Sequence, residues 1–518
     1  PVRLRQTTSA SGTALRLQSK GRMQGLPMAW SRAFGGDTSL RELGISGDLV
    51  FDGDWDIEAG DRLRAQARIA RASGDLRVQA GEAALVRRIE SRGTGTKSEI
   101  TTDSSDNAPS TPAGLRQAEL RLDAEGDAVR ARLAWDSERA GQIQAELGTR
   151  LVQQGGGWQW AEDAPLNGSV RARLPQLGVW SMLAPPGWRI AGTLSADATL
   201  AGTRNDPRWN GTLAADELAL KAMVEGLDLR DGRLRARLAG NRLILDEFTL
   251  KGGPGSKVRI PGRAGNLSTS ASEASADGGT LSFKGEMGWG PANAAGGGSG
   301  LSMDMRGEVR RLRALVRSDR QVTVSGDLQA GLNAGQLRVR GKVTTDRAVI
   351  ILPDETAPSL GSDVVVHSAA KEREARAAAE KLARERDAQD EAAAGRVNQP
   401  LLAKAPDIEV AFDLGKDFAV QGRGITTRLE GLLDVRTTQL GAPPRVTGEV
   451  RTVQGQYRAY GQELDVESGL ARFNGPVDNP SLDILAIRPN ITQRAGVQVT
   501  GTAQSPRVRL YSDPPLPD

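Results

Sequence analysis

The chain has 518 residues with a formal net charge of +4, 62 glycines, 4% aromatics, no cysteine and one histidine. No cysteine rules out disulfides, thiolate nucleophiles and cysteine-based zinc sites, and the single His367 leaves no room for a multi-histidine metal site. The basic excess is spread along the chain without interleaved aromatics, which argues against a nucleic-acid partner.

From residue 13 onward the pattern is strand, turn, strand. Ala14-Leu-Arg-Leu17, Gly47-Asp-Leu-Val-Phe51, Leu63-Arg-Ala-Gln-Ala-Arg-Ile69 and Leu76-Arg-Val78 come first. Val129-Arg-Ala-Arg-Leu-Ala-Trp135, Val170-Arg-Ala-Arg-Leu174, Leu234-Arg-Ala-Arg-Leu238 and Leu337-Arg-Val-Arg340 repeat one theme, apolar residues alternating with arginine. Side chains on a strand point to opposite faces with period two, so one face is apolar and the other charged. The arginines read as a solvated outer face; the alternative is an anionic partner. Residues 91–114, 263–280 and 290–300 are rich in Gly, Ser, Thr, Asp and Pro, and are expected to be flexible loops.

Residues 369–394 carry the one long helical signal, with Glu372/Arg376, Glu380/Arg384 and Lys381/Glu385 at i, i+4. Ser368 suits the N-cap, and Gly395 and Pro400 are stop signals. Leu382 is its one large apolar side chain, so the helix is expected to be a solvated excursion, or else a docking helix. No run approaches the roughly 18 apolar residues of a membrane span; the longest is Ala348-Val-Ile-Ile-Leu352. With no signal sequence ahead of Pro1, the chain is expected to be a piece of a longer protein.

The end of the chain is the most patterned part. Pro444-Arg-Val-Thr-Gly-Glu-Val-Arg451 is followed by Gly455-Gln-Tyr-Arg-Ala-Tyr-Gly461-Gln-Glu-Leu464 and Gly469-Leu-Ala-Arg-Phe-Asn-Gly-Pro-Val-Asp-Asn-Pro480. Leu482-Asp-Ile-Leu-Ala-Ile-Arg488, Gly496-Val-Gln-Val-Thr-Gly-Thr502 and Pro506-Arg-Val-Arg-Leu-Tyr-Ser512 close it. Asn474-Gly475 is the strongest hairpin signal, because a type I′ turn needs positive φ at both central residues. Leu200-Ala-Gly-Thr-Arg-Asn-Asp-Pro-Arg-Trp209 resembles Val499-Thr-Gly-Thr-Ala-Gln-Ser-Pro-Arg-Val508, so one turn recurs along the chain.

Removing about 100 residues of loop and helix leaves roughly 420, or about 38 strands at roughly 11 residues each. At ~4.8 Å per strand the sheet would run roughly 180 Å. A sheet that long must curl or split. Periodicity alone leaves a gutter, a chain of sandwiches and a solenoid open.

These C-terminal motifs resemble the C-terminal domain of the TamB family, in the AsmA-like group of bridge-like lipid transfer proteins. The match is dense from about Gly415 to Ser512 and looser from about Leu166. The resemblance implies an all-β, elongated, curled, antiparallel-rich sheet forming an open apolar groove. It also implies the periplasm of a Gram-negative bacterium, an inner-membrane anchor upstream, and a TamA-like outer-membrane barrel as partner of the C-terminal end. Four regions follow: an upstream β-repeat (1–165), a β-groove (166–362), a helical charged insertion (363–400) and a TamB-type C-terminal β region (401–518).

A search for catalytic motifs returns little. Gly93-Thr-Gly-Thr-Lys97-Ser98 has the wrong glycine spacing for a phosphate loop. Asp478-Asn479-Pro480 reads as a turn, and Asp465 and Asp483 fall on polar strand faces. No cofactor is expected, nor an enzyme. The candidate inward face holds Leu234, Ala236, Leu238, Leu337, Val339, Val446, Val450, Leu482, Ile484, Ala486, Val497, Val499, Val508 and Leu510. It is either a lipid-bearing trough or an ordinary core packed on a second sheet. By the resemblance, Tyr457, Tyr460, Phe473, Asn474, Gly475 and Tyr511 form the partner-facing motif. The leading expectation is a conduit for phospholipid acyl chains between the two membranes. The alternative is an assembly factor that pairs its strand edges with nascent outer-membrane proteins. A purely structural β-repeat is the third.

Overall fold

The computed structural model describes residues 2–9, 12–28, 45–60, 62–79, 86–91, 96–101, 110–154, 157–183, 188–222, 226–254, 278–290, 300–317, 319–352, 404–422, 424–437, 444–459, 462–489 and 494–514. The described residues are nearly all β. They form one sheet of 24 strands and three small ones. The expected all-β, curled, antiparallel-rich sheet is what the chain forms. The expected helix at 369–394 and most of the loops 263–280 and 290–300 lie outside the described residues.

In the main sheet almost every strand pairs antiparallel with the next. Val2–Ser9 leads through Gly12–Pro27 and Val50–Ala59 to Leu63–Ser73, which pairs directly with Leu115–Glu125. The sheet then runs without interruption to Ser505–Asp513. It crosses residue 165 through the pairing of Gly141–Arg150 with Leu166–Leu174. The exception is Gln336–Ile351, which pairs parallel with Asp407–Asp413 and Phe418–Gly422, two segments that together fill one rank of the sheet. Parallel neighbours need a crossover of a dozen or more residues. Leu352 and Lys404 accordingly lie on opposite long sides of the sheet, Lys404 bonding Gly335 O at the start of Gln336–Ile351.

Three expectations are corrected. Several strands run longer than expected, 14 to 16 residues, and of the 31 strands among the described residues 24 share the main sheet, where a single sheet of about 38 was expected. At ~4.8 Å each they span on the order of 100 Å along the curl instead of roughly 180 Å. The 91–114 stretch is not wholly loop, since Val86–Ser91 pairs with Thr96–Thr101 and Ser110–Pro112 pairs with Leu76–Gln79. Asn474-Gly475 is not a hairpin turn. Both lie inside Gln462–Pro476, opposite Thr447 and Val446, and the chain turns at Val477-Asp478 instead. Pro476 ends the strand there because it has no N–H for the next ladder bond.

The recurring turn holds. Gly202 pairs with Pro207 and Gly501 with Pro506, and the two glycines have φ of 95° and 98°. A side chain is strained at that φ, so the glycine makes the turn repeatable.

A line of β-bulges crosses the middle of the sheet. Register shifts fall at Ala191/Thr193, Ala215/Leu218, Arg230/Arg233, Leu245/Phe248, Val309/Leu312 and Thr323/Val324. Glu217, Asp231 and Arg311 take positive φ there. Each bulge bends its strand, and aligned bulges bend the sheet along one crease. On one side of the crease, the clasp rim, the strand ends meet. Val316 donates its N–H to Gly226 O at 2.8 Å and Arg313 to Gly278 O at 2.8 Å, so Leu301–Val316 reaches back three ranks to the start of Leu227–Gly240. Leu229, Leu250, Val309 and Leu312 are buried beneath this clasp. The opposite long side, the open rim, carries the turns after Ala59, Arg150, Gly202 and Trp289.

Candidate functional site

Cross-strand partners share a face, so the register shows which residues line each side. One row runs Leu174, Leu194, Ala215, Leu234, Phe248, Phe283, Gly307, Leu328, Gly341, Val410, Val435, Val446, Gly475. Over thirteen successive strands it contains no polar side chain. A second row, nearer the open rim, runs Ile69, Leu120, Leu133, Ala145, Val170, Ala198, Gly211, Leu238, Leu243, Met287, Met303, Leu332, Leu337. It too is wholly apolar or glycine.

The other face is charged. The row Gln144, Arg171, Asp197, Thr212, Arg237 lies one residue off the second apolar row. Its arginines are paired across strands: Arg171 with Asp197 at 3.0 Å, Arg237 with Asp246 at 2.7 Å, Arg340 with Asp407 at 2.5 Å and Arg472 with Glu449 at 3.1 Å. The hydrogen bond from Arg237 holds the Asp246 carboxyl below its ordinary range, and Arg340 does the same to Asp407. These exposed pairs contribute little stability; they fix which face stays in water.

All fourteen candidate inward residues fall on the apolar face. Leu234, Ala236 and Leu238 face Phe248, Leu245 and Leu243; Leu337 and Val339 face Leu332 and Ala330. Val446 and Val450 face Val435 and Gly431. Leu482, Ile484 and Ala486 continue to Gly501, Val499 and Val497, and from there to Pro506, Val508 and Leu510. Their burial differs. Ala236, Val446, Val450 and Ala486 are under 10% exposed, whereas Val508 is 64% and Leu510 81% exposed on the last strand.

The five described motif residues do not share one face. Tyr457, opposite Ile425 and Leu464, and Phe473, opposite Gly448, lie on the apolar face far apart along their strands. Asn474 and Tyr511 fall on the other face, next to Gly475 and Leu510 of the apolar one. Tyr460 lies outside the described residues.

No second large sheet among the described residues covers the apolar face. It packs on itself under the clasp, and a small hairpin covers another part of it. Val152–Gln154 and Gly157–Gln159 fold over Leu63, Ala65 and Ala124, with Trp158 Nε1 donating to Gly60 O at 3.1 Å. Further from the open rim on the same strands, Ile69, Leu120 and Leu133 are 39–48% exposed. A pocket of ≈ 460 Å³ opens on the face between Val170, Ala196, Ala198, Pro207, Trp209, Leu213, Leu238 and Trp289. These tryptophans were not singled out in the sequence; the available signal was nine Trp in a chain so poor in aromatics, several beside Gly or Pro.

Within the described residues no cluster of three or more His, Cys, Asp or Glu could hold a metal. Nor is any helix long and apolar enough to cross a membrane.

Comparison with known proteins agrees with this architecture. The model of the TamB C-terminal domain family matches residues 269–518. The translocation and assembly module subunit TamB of Haemophilus influenzae is 23% identical over 367 residues, covering 69% of this chain and 24% of the relative. The chain thus spans about a quarter of that relative's length. The resemblance read in the C-terminal motifs is therefore shown: over residues 269–518 the chain matches the TamB C-terminal domain family.

Proposed function

We propose that this chain is a periplasmic segment of an inner-membrane-anchored envelope protein and carries phospholipid acyl chains along its apolar face between the inner and outer membranes. It would work with a TamA-like outer-membrane partner and make or break no bond. The observation that supports this most is the unbroken apolar row across thirteen strands, opposite a charged face. Aliphatic side chains offer no hydrogen-bond specificity, so many acyl chains fit equally. Moving roughly 14 methylenes from water onto such a face gains about 11 kcal/mol. Moving them from one strand to the next gains almost nothing, and that evenness permits sliding. Head groups stay in water.

Photo-crosslinkers test the reading. At Leu234 and Val339 they are expected to label co-purified phospholipid; at Arg235 and Arg340, on the charged face, they are not. Equal labelling at all four positions, or lipid-free protein, would end it.

A second reading, assembly of outer-membrane barrel proteins by strand pairing, is favoured by one feature. The last strand, Ser505–Asp513, has a pairing partner on one side only among the described residues, and its Val508 and Leu510 are open. Binding of unfolded barrel strands by lipid-free protein would favour it.

A further inference from the structure

The pocket near the open rim differs from the rest of the apolar face. Its lining is wholly apolar, and its ≈ 460 Å³ lies within the range of small-ligand pockets. The hollow comes from small residues. In the row Val170, Ala198, Gly211, Leu238, the two middle positions withdraw from the surface between larger neighbours. Even a methyl group on Gly211 would run into the backbone of Asp197 and Ala198, which holds these two strands close. The wall is tied down by tryptophan. Trp289 Nε1 donates to Pro207 O at 2.9 Å, reaching past Leu227–Gly240 and Arg242–Gly252 to the strand that begins at Pro207. This link stands Trp289 beside Trp209 as the side of the pocket.

The turn that leads into Pro207 carries a cation. Arg204 is exposed, lies 4.9 Å from the centroid of the Trp160 ring and donates to the Trp160 carbonyl. Among the described residues it has no carboxylate partner, whereas Arg208 on the same turn is held by Asp206 at 2.8 Å. An apolar pocket entered at Pro207 by a turn whose exposed guanidinium has no carboxylate partner among the described residues is complementary to an anionic amphiphile.

We propose that this pocket is a resting site for one acyl chain of an anionic phospholipid, with the phosphate held at Arg204. The inference rests on the lipid-carrying reading above and adds a preferred station to it. The Trp289–Pro207 link fixes the width of the station.

The test uses phosphatidylglycerol carrying a tail diazirine, added to the whole chain, with the labelled peptides mapped by mass spectrometry. Label is expected to concentrate on peptides containing Trp209, Leu213 and Leu238. Ala198→Phe, which fills the hollow, is expected to abolish it there. Because that variant could also disturb packing, Arg204→Ala at an exposed position is the second arm. It should lower phosphatidylglycerol labelling of the pocket about tenfold, as loss of one charge-assisted contact does, to the level of phosphatidylcholine. Label spread over Leu120 and Leu133 but absent from the pocket overturns the station and leaves the conduit standing. Absence of label everywhere overturns both. Equal labelling by the two lipids overturns the assignment of Arg204.

Discussion

The strands from Trp188 to Ile351 are each divided by the crease, and their two arms meet opposite fates. On the clasp side Leu229, Leu250, Val309 and Leu312 are 4–7% exposed. On the open side Leu213, Leu238 and Met287 belong to the same alternating pattern, yet Leu213 and Leu238 are only partly buried around a pocket and Met287 is 37% exposed. The residue types do not differ; the distance between arms does. Bulges bring the clasp arms close enough for Val316 to bond Gly226, and apolar side chains then fill the space between. On the open side the reach across ranks is made by a side chain, Trp289 Nε1 to Pro207 O, and a pocket stays open beside it. One face thus serves as a core on one side of a crease and as an accessible surface on the other.

The strongest way to break this contrast is to place the same charge on both arms. Val309→Asp buries an unpaired carboxylate and is expected to cost about 4 kcal/mol or to prevent folding. Leu250→Ala is expected to cost about 2–5 kcal/mol. Leu238→Asp on the open arm should cost about 1 kcal/mol, because water reaches it. Urea midpoints of the three variants measure the difference. If Leu238→Asp unfolds the protein as readily as Val309→Asp, the open arm is a dry core too.

The crease itself gives the next effect. Asp231 sits at φ 49°, where a β-branched side chain is strained. Asp231→Val is expected to destabilise by about 1–3 kcal/mol, while Asp231→Gly should be neutral or mildly stabilising. Equal melting temperatures for the two would remove the bulge line as the cause of the bend.

The smallest effect belongs to the charged face. The hydrogen bond from Arg68 holds the Glu119 carboxyl below its ordinary range. A lowered folded pKa adds stability above the unfolded pKa, lost as pH falls through the folded value. Glu119→Gln should therefore destabilise slightly at neutral pH and match the parent protein once the medium is acid enough to protonate Glu119. A constant difference across the titration would exclude the charge as its source.

Much of the architecture could be read from the residues. Arg alternating with Leu and Ala in Leu234-Arg-Ala-Arg-Leu238 was enough to read the strand, and the register puts Leu234, Ala236 and Leu238 opposite apolar neighbours. The Gly-Thr…Pro turn was legible because glycine φ is a local matter. Asn474-Gly475 misled for the opposite reason. Its turn propensity is real, but pairing with Val446 and Thr447 on the neighbouring strand outweighed it, and the proline after it displaced the turn. Strand length was underestimated because few breakers interrupt the 14- to 16-residue strands.

The sequence by itself determined that this is a β-chain with one apolar and one charged side, since side-chain alternation follows from backbone geometry at each residue. Only the tertiary structure decided where the apolar side is sealed and where it stays open. That depends on bulges aligned across six strand pairings and on tryptophan N–H groups reaching distant carbonyls. Contacts between residues dozens of positions apart have no period for the sequence to display.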